Sequence, residues 1–115
     1  MSDEPWLPDA GDLISTDFAP TQGREQSGRR PALVVSSRNF TAMTGLAVVC
    51  PIISRVRPFP TSVVLPPGLP VAGEVLTSHI RSIDTLARPV VCTGASIAPS
   101  LAQDVRTRLA ALITI

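Results

Sequence analysis

Twelve prolines and seven glycines in 115 residues leave few stretches long enough for an uninterrupted helix. Proline breaks a helix interior, and glycine supplies the backbone freedom that tight turns need. The apolar residues, 44% of the chain, fall between these breaks in short runs, which is the pattern of a small β-rich domain. At this length folding buries roughly two-thirds of the unfolded surface, enough for one core and too little for two. Residues 1–115 therefore read as a single domain, with residues 1–8 as a flexible tail.

Strands are expected near Asp12–Phe18, Ala32–Ser37, Leu46–Ser54, Thr61–Leu65 and Gly73–Ser78, with a short one around Val90–Thr93. A polar loop, Ala19–Arg30, separates the first two. Arg38–Thr44 has room for one helical turn before Gly45. Pro51 lies inside the third strand and cannot donate to a ladder, which predicts an edge position or a bulge. Leu101, Val105, Leu109 and Leu112 recur at helical spacing, Pro99 suits a first turn, and Asp104 with Arg108 forms an i,i+4 pair. The fold class is mainly β (α+β): five to seven strands closed off by a C-terminal amphipathic helix.

Composition excludes several functions. The longest apolar run, Leu46–Ile53, is eight residues and contains a proline, far short of a membrane span. The acidic start lacks the basic-then-apolar pattern of a secretory signal. Two cysteines, Cys50 and Cys92, support neither a disulfide framework nor a four-thiolate zinc site, and read as small buried apolar residues in a reduced cytosol. One histidine, His79, gives no paired-histidine chemistry and no metal cluster. Neither a nucleotide loop nor a nucleophile elbow is present. No cofactor and no metal are expected.

The net charge of +1 hides a strong asymmetry. Asp3, Glu4, Asp9, Asp12 and Asp17 have no basic residue among them, whereas Arg24, Arg29, Arg30, Arg38, Arg55 and Arg57 face Glu25 alone in the middle third. The loop Gln22–Pro31 sets a single carboxylate among three guanidinium groups between flexible glycines. Guanidinium is always charged and forks onto phosphate oxygens, and a carboxylate beside it stays ionised. From composition alone such a loop is as readily a solvated, charged hairpin.

The motif Asp17-Phe18-x-Pro20-Thr21-x-Gly23-x-Glu25-Gln26-x-Gly28-x-Arg30-Pro31-Ala32-Leu33-Val34-Val35-Ser36, preceded by Gly11-Asp12-Leu13-Ile14, closely resembles the N-terminal signature of the MazF/PemK (Kid) toxin family. Later stretches resemble it too: Thr44-Gly45, Pro51, Pro58-Phe59-Pro60, and Gly73-Glu74-Val75-Leu76 running into Ile80-Arg81-Ser82-Ile83-Asp84. The resemblance covers essentially residues 9–113, and its specific part is Glu25–Pro31. It implies a small SH3-like barrel with a C-terminal helix, acting as a homodimer in the bacterial cytoplasm. It further implies a metal-independent endoribonuclease toxin that cleaves single-stranded RNA at short motifs, leaving 2′,3′-cyclic phosphate and 5′-hydroxyl ends. A cognate antitoxin with an acidic, partly disordered tail would neutralise it.

By the same resemblance Arg30 falls on the catalytic arginine and Glu25 on the loop glutamate, a candidate base or substrate-orienting group, or else a carboxylate that shapes the loop through backbone hydrogen bonds. Gln26 and Thr21 would shape the loop or meet nucleotide edges, and Phe18 is a candidate to stack a base, although an aromatic at a strand end is as often core. Arg24, Arg55 and Arg81 would line the RNA groove. Two departures stand out. Relatives carry a catalytic Thr two residues after the proline of the third strand, where this chain has Ile53. The nearest hydroxyl is Ser54, the third candidate catalytic residue: a regular strand turns it to the opposite face, and the bulge expected near Pro51 would re-aim it. His79 replaces a glutamine and is a candidate for base reading. The arginine and aspartate used by the Kid branch are Leu76 and Ser78 here, so those roles do not transfer. Two other readings stay open: a binding toxin of the gyrase-poison type, as in the CcdB branch, and a catalytically weakened toxin that only binds its antitoxin.

Overall fold

The computed structural model describes residues 6–18, 29–54 and 60–115. Seven strands form one antiparallel sheet: β1 (Asp12–Thr16), β2 (Arg30–Val34), β3 (Leu46–Ile53), β4 (Ser62–Val64), β5 (Glu74–Leu76), β6 (Arg81–Asp84) and β7 (Val90–Ser96). The order is β4-β5-β3-β2-β1-β7, with β6 also paired to β3. Helix α1 (Arg38–Thr44) joins β2 to β3, a 3-10 turn (Thr77–His79) joins β5 to β6, and helix α2 (Pro99–Leu112) ends the chain. The expected mainly-β class with a C-terminal helix is what the molecule adopts.

The strands bury both faces. Adjacent Leu13 and Ile14 are each fully buried, as are Leu33 and Val34. Leu13, Leu33, Cys50, Ile52 and Val75 form one cluster, which α2 covers through Val105, Leu101 and Leu109. Ile14, Phe18, Ala32, Val34, Val49 and Ile83 belong to the second. Removing the side chain of a residue such as Leu33 from this packing costs on the order of 2–5 kcal/mol.

Local chemistry explains the element ends. Ser37 Oγ accepts from Phe40 N at 3.1 Å to start α1, and Gly45 at φ 77° closes it. Asp9 Oδ1 accepts from Arg38 N at 2.8 Å, tying the chain before β1 to that helix start. Of the tail expected at residues 1–8, residues 6–8 are described: Pro8 is buried and the Leu7 carbonyl accepts from Arg38 Nε at 3.0 Å. Pro99 sits in the first turn of α2, and Asp104 and Arg108 pair at 3.3 Å, as their spacing predicts.

Three expectations need correction. Strand β3 is central rather than at an edge. It pairs β2 on one side, and on the other it pairs β6 through residues 46–49 and β5 through residues 52–53. Pro51 sits where β3 changes partner, so its missing N–H leaves no gap in a ladder. Helix α1 runs for seven residues rather than one turn. Cys50 is buried as expected, but Cys92 on the outer strand β7 is exposed.

Candidate nucleic-acid interface

Directly paired residues in an antiparallel sheet share a face, and alternate residues along a strand do too. Arg30 pairs with Thr16, two residues on from Ile14, and Arg81 pairs with Val49. Both arginines therefore lie on the face that carries the second cluster, away from α2. Both are exposed, and neither has a carboxylate partner among the described residues. Two guanidinium groups on one face, without a carboxylate partner among the described residues, form a surface for phosphate oxygens.

Phe18 lies beside them, only 9% exposed and packed into the second cluster. The Arg81 guanidinium covers its ring at 5.3 Å from the centroid. This cation–π contact holds the arginine head on the outside of the core. A base reaching that face of the ring has to displace Arg81.

Ile53 is the last residue of β3 and pairs with Glu74 of β5. The β2–β3 ladder ends where Ala32 faces Pro51, and by alternation Ile53 lies on the face that Pro51 and Ala32 share with Arg30. An apolar side chain, 36% exposed, thus ends β3 on the face that carries the arginine. Ser54 follows the strand and is exposed. Gly73, at φ +135°, packs so close that a Cβ there would fall 1.9 Å from the Ile53 carbonyl oxygen and 3.1 Å from Ser54 Cα. The fully buried Glu74 accepts from Ser62 Oγ at 2.5 Å through Oε1, anchoring β5 to β4 behind this point.

His79 ends the 3-10 turn two residues before Arg81 and is exposed. Of the residues singled out in the sequence, the structure thus brings Phe18 against Arg81, places Arg30 on the same sheet face, and sets Ser54 beyond Ile53. Thr21, Arg24, Glu25, Gln26 and Arg55 lie outside the described residues. Among the described residues, no three His, Cys, Asp or Glu side chains converge, and no helix is long and apolar enough to cross a membrane.

The long-range contacts of two residues at this site carry no local sequence signal. Gly73 is required by a backbone approach from β3, twenty residues earlier. Arg88 donates through Nη1 to the Asp17 carbonyl at 2.9 Å and to the Phe18 carbonyl, partners about seventy residues away. Nothing next to Arg88 in the chain announces that contact.

Residues 9–113 match the family described as PemK-like, MazF-like toxin of type II toxin-antitoxin system. The chain is 36% identical over 108 residues to the endoribonuclease toxin MazF of Escherichia coli strain K12, covering 94% of this chain and 96% of that protein. Its fold superposes on the crystal structure of MazF (form I) from Deinococcus radiodurans with a TM-score of 0.83, 41% identity and coverage of 94% and 97%. It superposes equally on MazE–MazF (form II) from the same organism, with a TM-score of 0.82, 37% identity and coverage of 94% and 96%. With the motif, the sheet order and the match along nearly the whole length in agreement, the chain belongs to the PemK-like, MazF-like toxin family.

Proposed function

We propose that this protein is an endoribonuclease toxin that cuts single-stranded RNA at a short sequence and is neutralised by a cognate antitoxin. The observation that carries this reading is the Arg30 guanidinium, exposed on the sheet face it shares with Arg81 and unpaired among the described residues. Its relatives are endoribonucleases by name, and one is solved with MazE.

In the proposed reaction the ribose 2′-oxygen attacks the adjacent phosphorus and the bond from phosphorus to the 5′-oxygen breaks. Glu25 takes the 2′-hydroxyl proton. Arg30 donates hydrogen bonds to the non-bridging oxygens, where charge builds in the transition state, and to the leaving 5′-oxygen, which takes its proton from water as the bond breaks. The products are a 2′,3′-cyclic phosphate and a 5′-hydroxyl, and no metal takes part. Arg81, with Arg24 and Arg55, neutralises flanking phosphates, while Thr21, Gln26 and His79 meet base edges. Phe18 is the stacking platform once Arg81 turns to a phosphate. Ser54 is the hydroxyl closest in sequence to the position where relatives carry threonine. The protein works in the bacterial cytoplasm as a homodimer, and its antitoxin presents an acidic, disordered tail to the basic face.

One observation favours a second reading. Ile53, not a hydroxyl residue, ends β3 on the sheet face that carries Arg30, which suits a catalytically weakened toxin that still binds its antitoxin. Inducing the protein in a bacterium and sequencing the 5′-hydroxyl ends of transcripts tests the choice. A recurrent short motif at those ends supports the nuclease, and unchanged transcripts despite folded protein support the weakened form.

A further inference from the structure

Phe18 is held from two directions. From β6, Arg81 lays its guanidinium over the ring at 5.3 Å. From the turn after β6, Arg88 Nη1 donates to the carbonyl oxygens of Asp17, at 2.9 Å, and of Phe18. The turn is itself well tied: Asp84 Oδ1 accepts from Leu86 N at 2.9 Å and Ala87 N at 3.2 Å, and Arg88 N donates to the Asp84 carbonyl at 3.0 Å. Thr16 Oγ1 adds a bond to the Pro89 carbonyl at 2.9 Å.

The position of these bonds gives them their meaning. Strand β1 ends at Thr16, whose partners are Arg30 on β2 and Val90 on β7. Asp17 and Phe18 lie beyond the ladder, yet Phe18 must stay seated for Arg81 to rest on it. Arg88 supplies the missing constraint: one charged nitrogen, Nη1, bridges the two successive carbonyls, and a charged donor makes stronger bonds to carbonyls than a neutral one.

We propose that Arg88 is a positioning residue for the RNA interface. It fixes the main chain at Asp17–Phe18, which keeps the Phe18 ring beneath Arg81 and Arg81 on the face that carries Arg30. This role rests on the RNA reading above and adds a residue to it that makes no contact with the reacting atoms. A plain contribution of charge to RNA binding is a different role, and lysine separates the two: it keeps the charge but carries it on a flexible stem without the planar guanidinium that sets Nη1 between the two carbonyls.

The test uses full-length protein carrying 4-fluorophenylalanine at its three phenylalanines, with the Phe18 fluorine resonance assigned by Phe18→Leu. In Arg88→Ala the Phe18 resonance is expected to shift and broaden while that of Phe40 stays. Cleavage of a short RNA should show KM raised about tenfold with kcat changed less than about twofold. Arg88→Lys should recover part of both effects. Arg106→Ala, which removes the same charge from α2, should change neither. A stationary Phe18 resonance, or an unchanged KM, overturns the role. Lysine restoring KM while the resonance stays displaced assigns the effect to charge and overturns it too. If Arg88→Ala fails to fold, Arg88→Lys carries both readouts. A wild-type protein that cleaves nothing overturns the RNA reading and this role with it; a cleaving wild type with a stationary resonance overturns this role alone.

Discussion

Gly73 has no side chain where β3 leaves no room for one: a Cβ built on it would fall 1.9 Å from the carbonyl oxygen of Ile53. The clash is with backbone, so no rotamer change relieves it, and φ +135° is closed to other residues. Gly73→Ala should therefore lower stability by about 3 kcal/mol or more, measured by urea unfolding. If the variant folds, the shift at Ile53 and Ser54 should also lower cleavage. A loss under about 1 kcal/mol would mean that β5 and the end of β3 are not packed as described.

Ile53 ends β3 on the sheet face that carries Arg30, where an apolar side chain does nothing for a phosphate. Ile53→Thr places a hydroxyl on the arginine's side of the strand and should raise cleavage about tenfold or more, at a stability cost near 1 kcal/mol because the residue is part exposed. The companion variant Ser54→Ala decides the alternative. If Ser54→Ala abolishes cleavage and Ile53→Thr adds nothing, Ser54 already serves in that role.

Arg81 has no carboxylate partner among the described residues and rests on Phe18. Each phosphate contact contributes about one unit to the slope of log affinity against log salt, somewhat less for single strands. Arg81→Ala should weaken binding of a non-cleavable RNA and flatten that slope by about 0.7. An unchanged slope would remove Arg81 from the phosphate contacts.

The two cysteines should behave differently. Burial pushes the Cys50 thiol up to about 12, so it stays protonated at neutral pH and inert, whereas Cys92 is exposed on β7. A thiol reagent should label one cysteine quickly in the native protein and both in denaturant. Because the folded value is raised, this thiol stabilises the fold fully below the unfolded value and loses that contribution as pH rises toward 12. Stability should fall above about pH 9, and Cys50→Ala should remove that part of the alkaline loss.

Asp9 shows the opposite sign. The hydrogen bond from Arg38 N holds its carboxyl below the usual carboxylate range, so its contribution exists above the unfolded value and is lost as pH falls through the folded one. The group is exposed, and Asp9→Asn should cost less than about 1 kcal/mol at neutral pH. That difference should vanish in acid. A difference that persists under full protonation would point to packing instead.

Much of this site is legible in the sequence because its chemistry is local. The run Glu25–Pro31 places arginine at the start of a strand, and Pro99 with the spacing of Leu101, Val105 and Leu109 marks α2. Other features depend on pairing, which no local pattern encodes. Pro51 reads as an edge signal, but the sheet tolerates it in a central strand by changing partners there. Arg81 reads as a groove arginine, while its seat on Phe18 requires β6 to cross β3. Gly73 opens a stretch that resembles the family signature, but its approach to Ile53 is not written locally, and Arg88 does not stand out among the other arginines. The exposure of Cys92 follows from the place of β7 at the end of the sheet order, a property of topology rather than of the residues around it.

The most direct measurement is digestion of a long mixed-sequence RNA by purified protein in EDTA, beside an Arg30→Ala variant shown to be folded, with fragment ends mapped and their 5′ chemistry determined. The predicted result is discrete cuts at a short motif, 5′-hydroxyl ends, and a loss of about a hundredfold or more in the variant, the scale expected when a donor to transition-state charge is removed. Intact RNA after incubation with folded wild type, or equal cleavage by Arg30→Ala, would contradict it.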